Sequence, residues 1–178
     1  RAVRAIDGEI KVTNATLVKV PFDRNHWQRL ANEQYPDGLP APHSDDPTQW
    51  LFKGDIAAST EPLQVAAGRL LAFRWPDQQS DALDSHADAD GIVALPSLPG
   101  EADATSRLRV LLADAYADRW SSAVERKLVT DAGGKNGRLE DWLRDQFFAQ
   151  HVKLFNNRPF LWHIWDGRKD GFSAIVNY

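Results

Sequence analysis

The chain has 178 residues, no cysteine, no methionine and a formal net charge of −4 at neutral pH. Such a length suits one domain or subdomain that buries roughly 70% of its unfolded surface, and the missing cysteine excludes a disulfide framework, a thiolate zinc site and a cysteine nucleophile. No apolar stretch approaches the roughly 18 residues of a membrane span and Arg1-Ala2-Val3-Arg4 lacks an apolar signal core, so a soluble cytoplasmic protein with no membrane partner is expected.

Ile10, Val12, Val18 and Val20 alternate with Lys11, Thr13 and Lys19, the period of a half-buried strand. Asp23 is placed to cap a helix through Tyr35 that Pro36 stops. Residues 36–48 read as a loop, and Gln49 to Phe52 as a short extended piece. Pro62 suits the first turn of a helix with Leu63, Ala66, Ala67, Leu70 and Leu71 on one face, ending by Trp75. Residues 77–90 are acidic and short of large apolar side chains, which predicts a mobile loop. Gly91 to Leu95 then reads as a buried strand or an extended tether. Leu108, Leu111, Leu112 and Ala115 recur at helical spacing, a second helical stretch runs from Asp118 to about Asp131, and Gly133, Gly134 and Gly137 break the chain.

One long helix is predicted from Leu139 to Phe155, with acidic Glu140 and Asp141 in its first turn. After it, Phe160, Trp162 and Ile164 alternate with Leu161, His163 and Trp165. Both parities are apolar, as in a strand covered on both faces, and Asp166-Gly167 and Asp170-Gly171 supply turn chemistry before a return strand over Phe172 to Tyr178. The whole reads as an α+β fold, predominantly helical with a small number of strands, including a C-terminal aromatic strand or hairpin. The chain stops inside an apolar pattern at Ile175-Val176-Asn177-Tyr178 and has no initiator methionine, so a fragment of a longer polypeptide is expected.

Charge argues against a chain that grips duplex DNA along its length. Residues 1–100 carry 9 Lys+Arg against 14 Asp+Glu, giving −5, whereas residues 101–178 carry 12 against 11, giving +1. Phosphate neutralisation drives DNA binding, so any contact is local and falls in the C-terminal half. Lys153, Arg158, Arg168 and Lys169 against Asp166 and Asp170 make residues 151–172 locally +2. These four cations are the candidates for DNA contact.

The familiar catalytic and metal signatures fail on inspection. Around Gly91, the calcium-loop pattern would place His86 at the first ligand position and Ser97 where a bidentate glutamate is required. Histidines show no zinc-hydrolase spacing, no Gly-x-Ser-x-Gly occurs, and Gly133-Gly134-Lys135 lacks the rest of a phosphate loop. Asn157-Arg158-Pro159-Phe160 approximates the Asn-Pro-Pro-aromatic tetrad with which amino-methyltransferases hold a flipped base, but Arg158 replaces the first proline and no glycine-rich cofactor turn is present. No catalytic, cofactor or metal residue is assigned, and His163, set among aromatics, is expected as a core histidine.

A resemblance is carried by Leu139 to Phe148, His151, Lys153-Leu154-Phe155 and Asn157 to Tyr178, together with Val20-Pro21-Phe22-Asp23, His26-Trp27, Tyr35 to Pro40, Ser44 to Phe52, Leu63 to Ala66, Arg69-Leu70-Leu71 and Arg74-Trp75-Pro76. These stretches resemble a region of large bacterial restriction-modification adenine-specific DNA methyltransferases, including those of phage-defence systems of the DISARM type. The resemblance implies a non-catalytic connector or DNA-clamping region on the C-terminal side of the methyltransferase core. It also implies S-adenosylmethionine in the parent chain but not in this segment, intramolecular contact with that core, and DNA reached through the parent enzyme. The alternative is a protein–protein scaffolding module that docks the core to another domain or subunit through buried tryptophan anchors.

Overall fold

A computed structural model describes residues 19–36, 51–76, 78–168 and 171–177. The strand expected over Ile10 to Val20, apart from Lys19 and Val20, most of the 36–48 loop, Gln49, Trp50, Lys169 and Asp170 lie outside the described residues. The chain divides into two compact units, residues 1–43 and residues 44–178. In the first, helix α1 (Arg24–Gln34) starts where the sequence predicts: the Asp23 carboxylate accepts the His26 N–H at 3.0 Å, satisfying one of the four amides a helix start leaves unpaired.

The second unit is α+β and predominantly helical among its described residues. Its elements run α2 (Pro62–Leu70), a 3₁₀ turn (Ala82–His86), β1 (Ile92–Ala94), α3 (Ala104–Tyr116), α4 (Ser122–Asp131), α5 (Leu139–Asp145), α6 (Phe147–Leu154), β2 (Leu161–Trp165) and β3 (Ser173–Asn177). Antiparallel pairing gives the order β1-β3-β2, with Ile92 opposite Val176 and Val176 opposite Trp162. Helix α2 is buried nearly all round, as its Ala-rich and Leu-rich sequence requires. Leu108, Leu111 and Leu112 of α3, Trp142 and Leu143 of α5, Phe147 of α6, Val93, Leu161 and Ile175 complete the core.

The expected helix over Leu139 to Phe155 is two helices. Gln146 leaves helical geometry at φ −127° and ψ −32°, its N–H still closing α5 on the Trp142 carbonyl while its own carbonyl opens α6 by accepting from Gln150. The break lets Trp142 and Phe147 face the same core, 5.6 Å apart, and the Trp142 indole N–H reaches across it to Gln150 Oε1 at 2.9 Å. The glycine break before α5 is as local as the sequence suggests. Gly133 takes φ +75°, and the N–H groups of Gly133 and Gly134 close back on Thr130 and Val129, the glycine-dependent end of a helix.

The acidic stretch expected as a mobile loop is folded. Arg69, buried in α2, donates to the Gly54 carbonyl at 3.2 Å, pairs with Asp84 at 2.9 Å and forks onto Asp81. Arg74 adds a second bond to Asp84 at 3.1 Å, and Arg107 of α3 holds Asp88 at 2.6 Å. A segment short of large apolar side chains, with only Leu83 packed against the core, is thus fixed by three arginines outside it, which residue composition alone does not reveal.

Candidate functional site

The hairpin that carries the aromatic block has two unlike faces. Cross-strand partners share a face, so Trp162, Val176 and Ile92 form one row and Ile164, Ala174 and Ala94 the next. Every side chain of these rows is apolar, and among the described residues nothing covers their outer part: Ile92 is 49% exposed, Trp162 43% and Ile164 53%. Phe148 of α6 borders the face, its ring 5.6 Å from that of Trp162. The expectation that β2 is covered on both faces is therefore corrected for the described residues. One face seals the core, and the other stands open as a shallow, largely apolar depression of about 390 Å³ over Trp162, Ile164 and Val176, with His163 at its border.

The opposite face begins inside the core and runs out of it. Leu161 is fully buried, His163 is half-buried and Trp165 is 59% exposed. Where the core ends, the hairpin and the end of α5 enclose a cleft of about 450 Å³ lined by Arg144, Asp145, His163, Trp165, Arg168 and Ser173, with two glycines. The turn that shapes this cleft is built by its own sequence. Asp166 Oδ1 accepts the Arg168 N–H at 2.9 Å, the Asp166 N–H closes on the Phe172 carbonyl at 3.1 Å, Gly167 takes φ +86°, and the Trp165 indole N–H donates to the Arg168 carbonyl at 2.8 Å.

Electrostatics in the cleft are uneven. Arg144 meets Asp145 through two bonds of 2.8 and 2.7 Å and Asp141 at 3.0 Å, and this pairing holds the Asp145 carboxyl below the usual carboxylate range. Burial pushes the His163 imidazole down, opposed by the nearby Asp145 charge. His163 Nε2 is enclosed and has no hydrogen-bond partner among the described residues. The guanidinium of Arg168 has no carboxylate partner among the described residues, which leaves it as the cleft's uncompensated charge.

The four cations proposed from sequence do not converge. Arg168 lies on this cleft; Lys153 lines a different one with Glu61 and Asp131. Arg158 is exposed on the turn after α6, following Asn156 and Asn157 at φ 49° and 63°. Lys169 lies outside the described residues. The near-tetrad is also spent on structure: the Phe160 ring stacks on Phe73 with centroids 4.1 Å apart and packs edge-on against Phe155 and His151, so it is unavailable to a base.

No protein family, curated protein or solved structure matches this chain. What the site can do is therefore argued from its geometry. Among the described residues no three His, Asp or Glu side chains converge as a metal site would require, and no helix is long and apolar enough to cross a membrane. Sequence reasoning singled out Arg168 but missed its grouping with Arg144, His163 and Trp165. The shared parity of residues 163 and 165 was a usable signal; the arrival of α5 beside them was not.

Proposed function

We propose that this chain is a non-catalytic module of an adenine-specific DNA methyltransferase of a restriction-modification or phage-defence system, and that it scaffolds the enzyme by docking against the methyltransferase core. The observation that carries this reading is the uncovered apolar face of the sheet, with Ile92, Trp162 and Ile164 in adjacent rows. Contiguous apolar surface of this kind marks interaction sites, and an aromatic ring seated among aliphatic side chains is the usual anchor of an interface. The resemblance to the methyltransferases supplies the occupant, an S-adenosylmethionine-binding core in the same polypeptide.

A DNA-clamping role is the second reading. It is favoured by Arg168, whose guanidinium makes no ion pair among the described residues and lies on an open cleft. The separation of Lys153 from it argues against a continuous phosphate track.

Docking is tested by producing this chain and, separately, the core of the polypeptide to which it belongs, and measuring their association by titration calorimetry. Association weakened at least about tenfold by Ile164→Glu and by Trp162→Ser, as expected for anchors, with circular dichroism unchanged, supports the reading. A polypeptide without such a core, or association indifferent to both substitutions, overturns it.

A further inference from the structure

We infer that the cleft between the β2–β3 turn and the end of α5 takes one nucleotide of a single-stranded or extrahelical nucleic acid, its base on the Trp165 ring and its phosphate on Arg168.

Trp165 is the first reason. A tryptophan this exposed ordinarily keeps its indole N–H in water, yet here that N–H is bound to the Arg168 carbonyl at 2.8 Å. The ring is thereby locked to the turn, and what it offers outward is its flat apolar surface. A pre-positioned ring of this sort is a stacking platform, and stacking is indifferent to base identity because every base has a π-face.

Charge is the second. Arg144 and Asp145 compensate each other, and although the Asp166 carboxylate shares the turn through the Arg168 N–H, the Arg168 guanidinium makes no ion pair among the described residues and is the one cation at the turn side of the cleft. The chain as a whole is at −4, which disfavours an extended polyanion but not a single phosphate beside one cation. The cleft's volume of about 450 Å³ lies in the ordinary range for small-ligand sites, roughly 300–1,000 Å³.

An acidic peptide would satisfy Arg168 but has no need of a locked aromatic ring, and so the observations favour a nucleotide. The inference is independent of the docking reading, because Trp165 lies on the face of the sheet opposite Trp162 and Ile164 and only His163 borders both depressions.

The test uses fluorescence anisotropy of a labelled oligodeoxythymidine of about ten nucleotides, a length within the usual single-strand site sizes, with an abasic strand of equal length as control. Wild type is expected to bind the base-bearing strand at low salt, and Trp165→Ala to weaken it about 5- to 100-fold, as loss of one stacked base does. The same substitution leaves binding of the abasic strand unchanged. Arg168→Gln, at an exposed turn position, is expected to weaken both strands and to reduce the slope of log affinity against log salt by about 0.7. Trp165→Phe, which keeps a flat ring, retains binding within a few-fold. Wild type that fails to bind, or variants that bind as wild type does, overturns the inference. So does polyglutamate competing as well as the oligonucleotide, since the cleft is then a site for acidic peptide. The docking substitutions Ile164→Glu and Trp162→Ser leave oligonucleotide affinity unaltered, so either proposal can fail without the other.

Discussion

The buried imidazole of His151 accepts the backbone N–H of Leu161 at 3.2 Å, tying the last turn of α6 to the first residue of β2. The same Nε2 accepts from Phe160 N–H at 3.3 Å, so its lone pair must lie there and the ring proton on Nδ1, which donates to Gln64 Oε1 at 3.2 Å. Gln64 in turn donates to the Phe147 carbonyl. One neutral histidine thus joins α2, α6 and the sheet, and a second proton on it would displace both backbone donors.

Burial lowers the His151 pKa from its ordinary 6.5 to about 4. A group whose folded pKa is depressed contributes stability that is fully present above the unfolded value and is lost as pH falls toward the folded one. Stability should therefore decline from about pH 6.5 to about pH 4, by roughly 3 kcal/mol in total. His163, also shifted down by burial, adds to the loss with the same sign. Urea titrations at several pH values check this, and His151→Gln should flatten much of the slope in that window.

Replacing Arg69 by Met should cost about 2–3 kcal/mol. The guanidinium is buried, but Asp81 and Asp84 keep contact with water, so the loss falls below that of a fully buried pair left with one partner. Hydrogen exchange should quicken over residues 81–88 more than in α3. Arg69→Lys is expected to recover little, since an ammonium cannot fork between two carboxylates and a carbonyl.

Phe160→Ala should lower stability by about 2–3 kcal/mol, less than a fully buried phenylalanine because the ring is half-buried. Phe160→Leu should recover most of that loss. A base-stacking role for Phe160 would instead predict lost nucleic-acid affinity with stability intact, and comparing thermal melts with oligonucleotide binding separates the two.

Gly133→Ala should cost about 1 kcal/mol, because φ +75° is penalised for any residue with a Cβ. Thermal unfolding measures it. Gly134→Ala is expected to be worse, since its Cβ would meet the Val129 carbonyl oxygen at 2.7 Å, and backbone cannot move aside as a side chain can.

Features governed by neighbouring residues were legible in the sequence. The Asp23 cap, Pro62 at the start of α2, the glycine end of α4 and the Asp166-Gly167 turn each depend on hydrogen bonds or dihedral preferences spanning a few residues, and each lies where the sequence predicts. The α+β class and the C-terminal hairpin follow from hydrophobic periodicity. Arg168 lies on the turn that the Asp-Gly pairs predict, although its lack of a carboxylate partner among the described residues was not readable.

Other features depend on what arrives from far along the chain. Apolar residues at both parities of β2 say that both faces avoid water; they do not say that one face meets the core while the other waits uncovered. The acidic stretch after Trp75 looked solvated because it is short of large apolar side chains, and it is folded because Arg69 and Arg107 reach it from α2 and α3, with neighbouring Arg74 adding a bond to Asp84. Helical period alone extends α5 through α6, and only the need to bury Trp142 and Phe147 together breaks it at Gln146. The sequence by itself determined the local starts, stops and turns, where the competing energies lie within one or two turns of chain. Tertiary structure alone decided which apolar face stays open and that Trp165, His163, Arg144 and Arg168 share a cleft, because those outcomes follow from long-range burial and charge pairing that no local window contains.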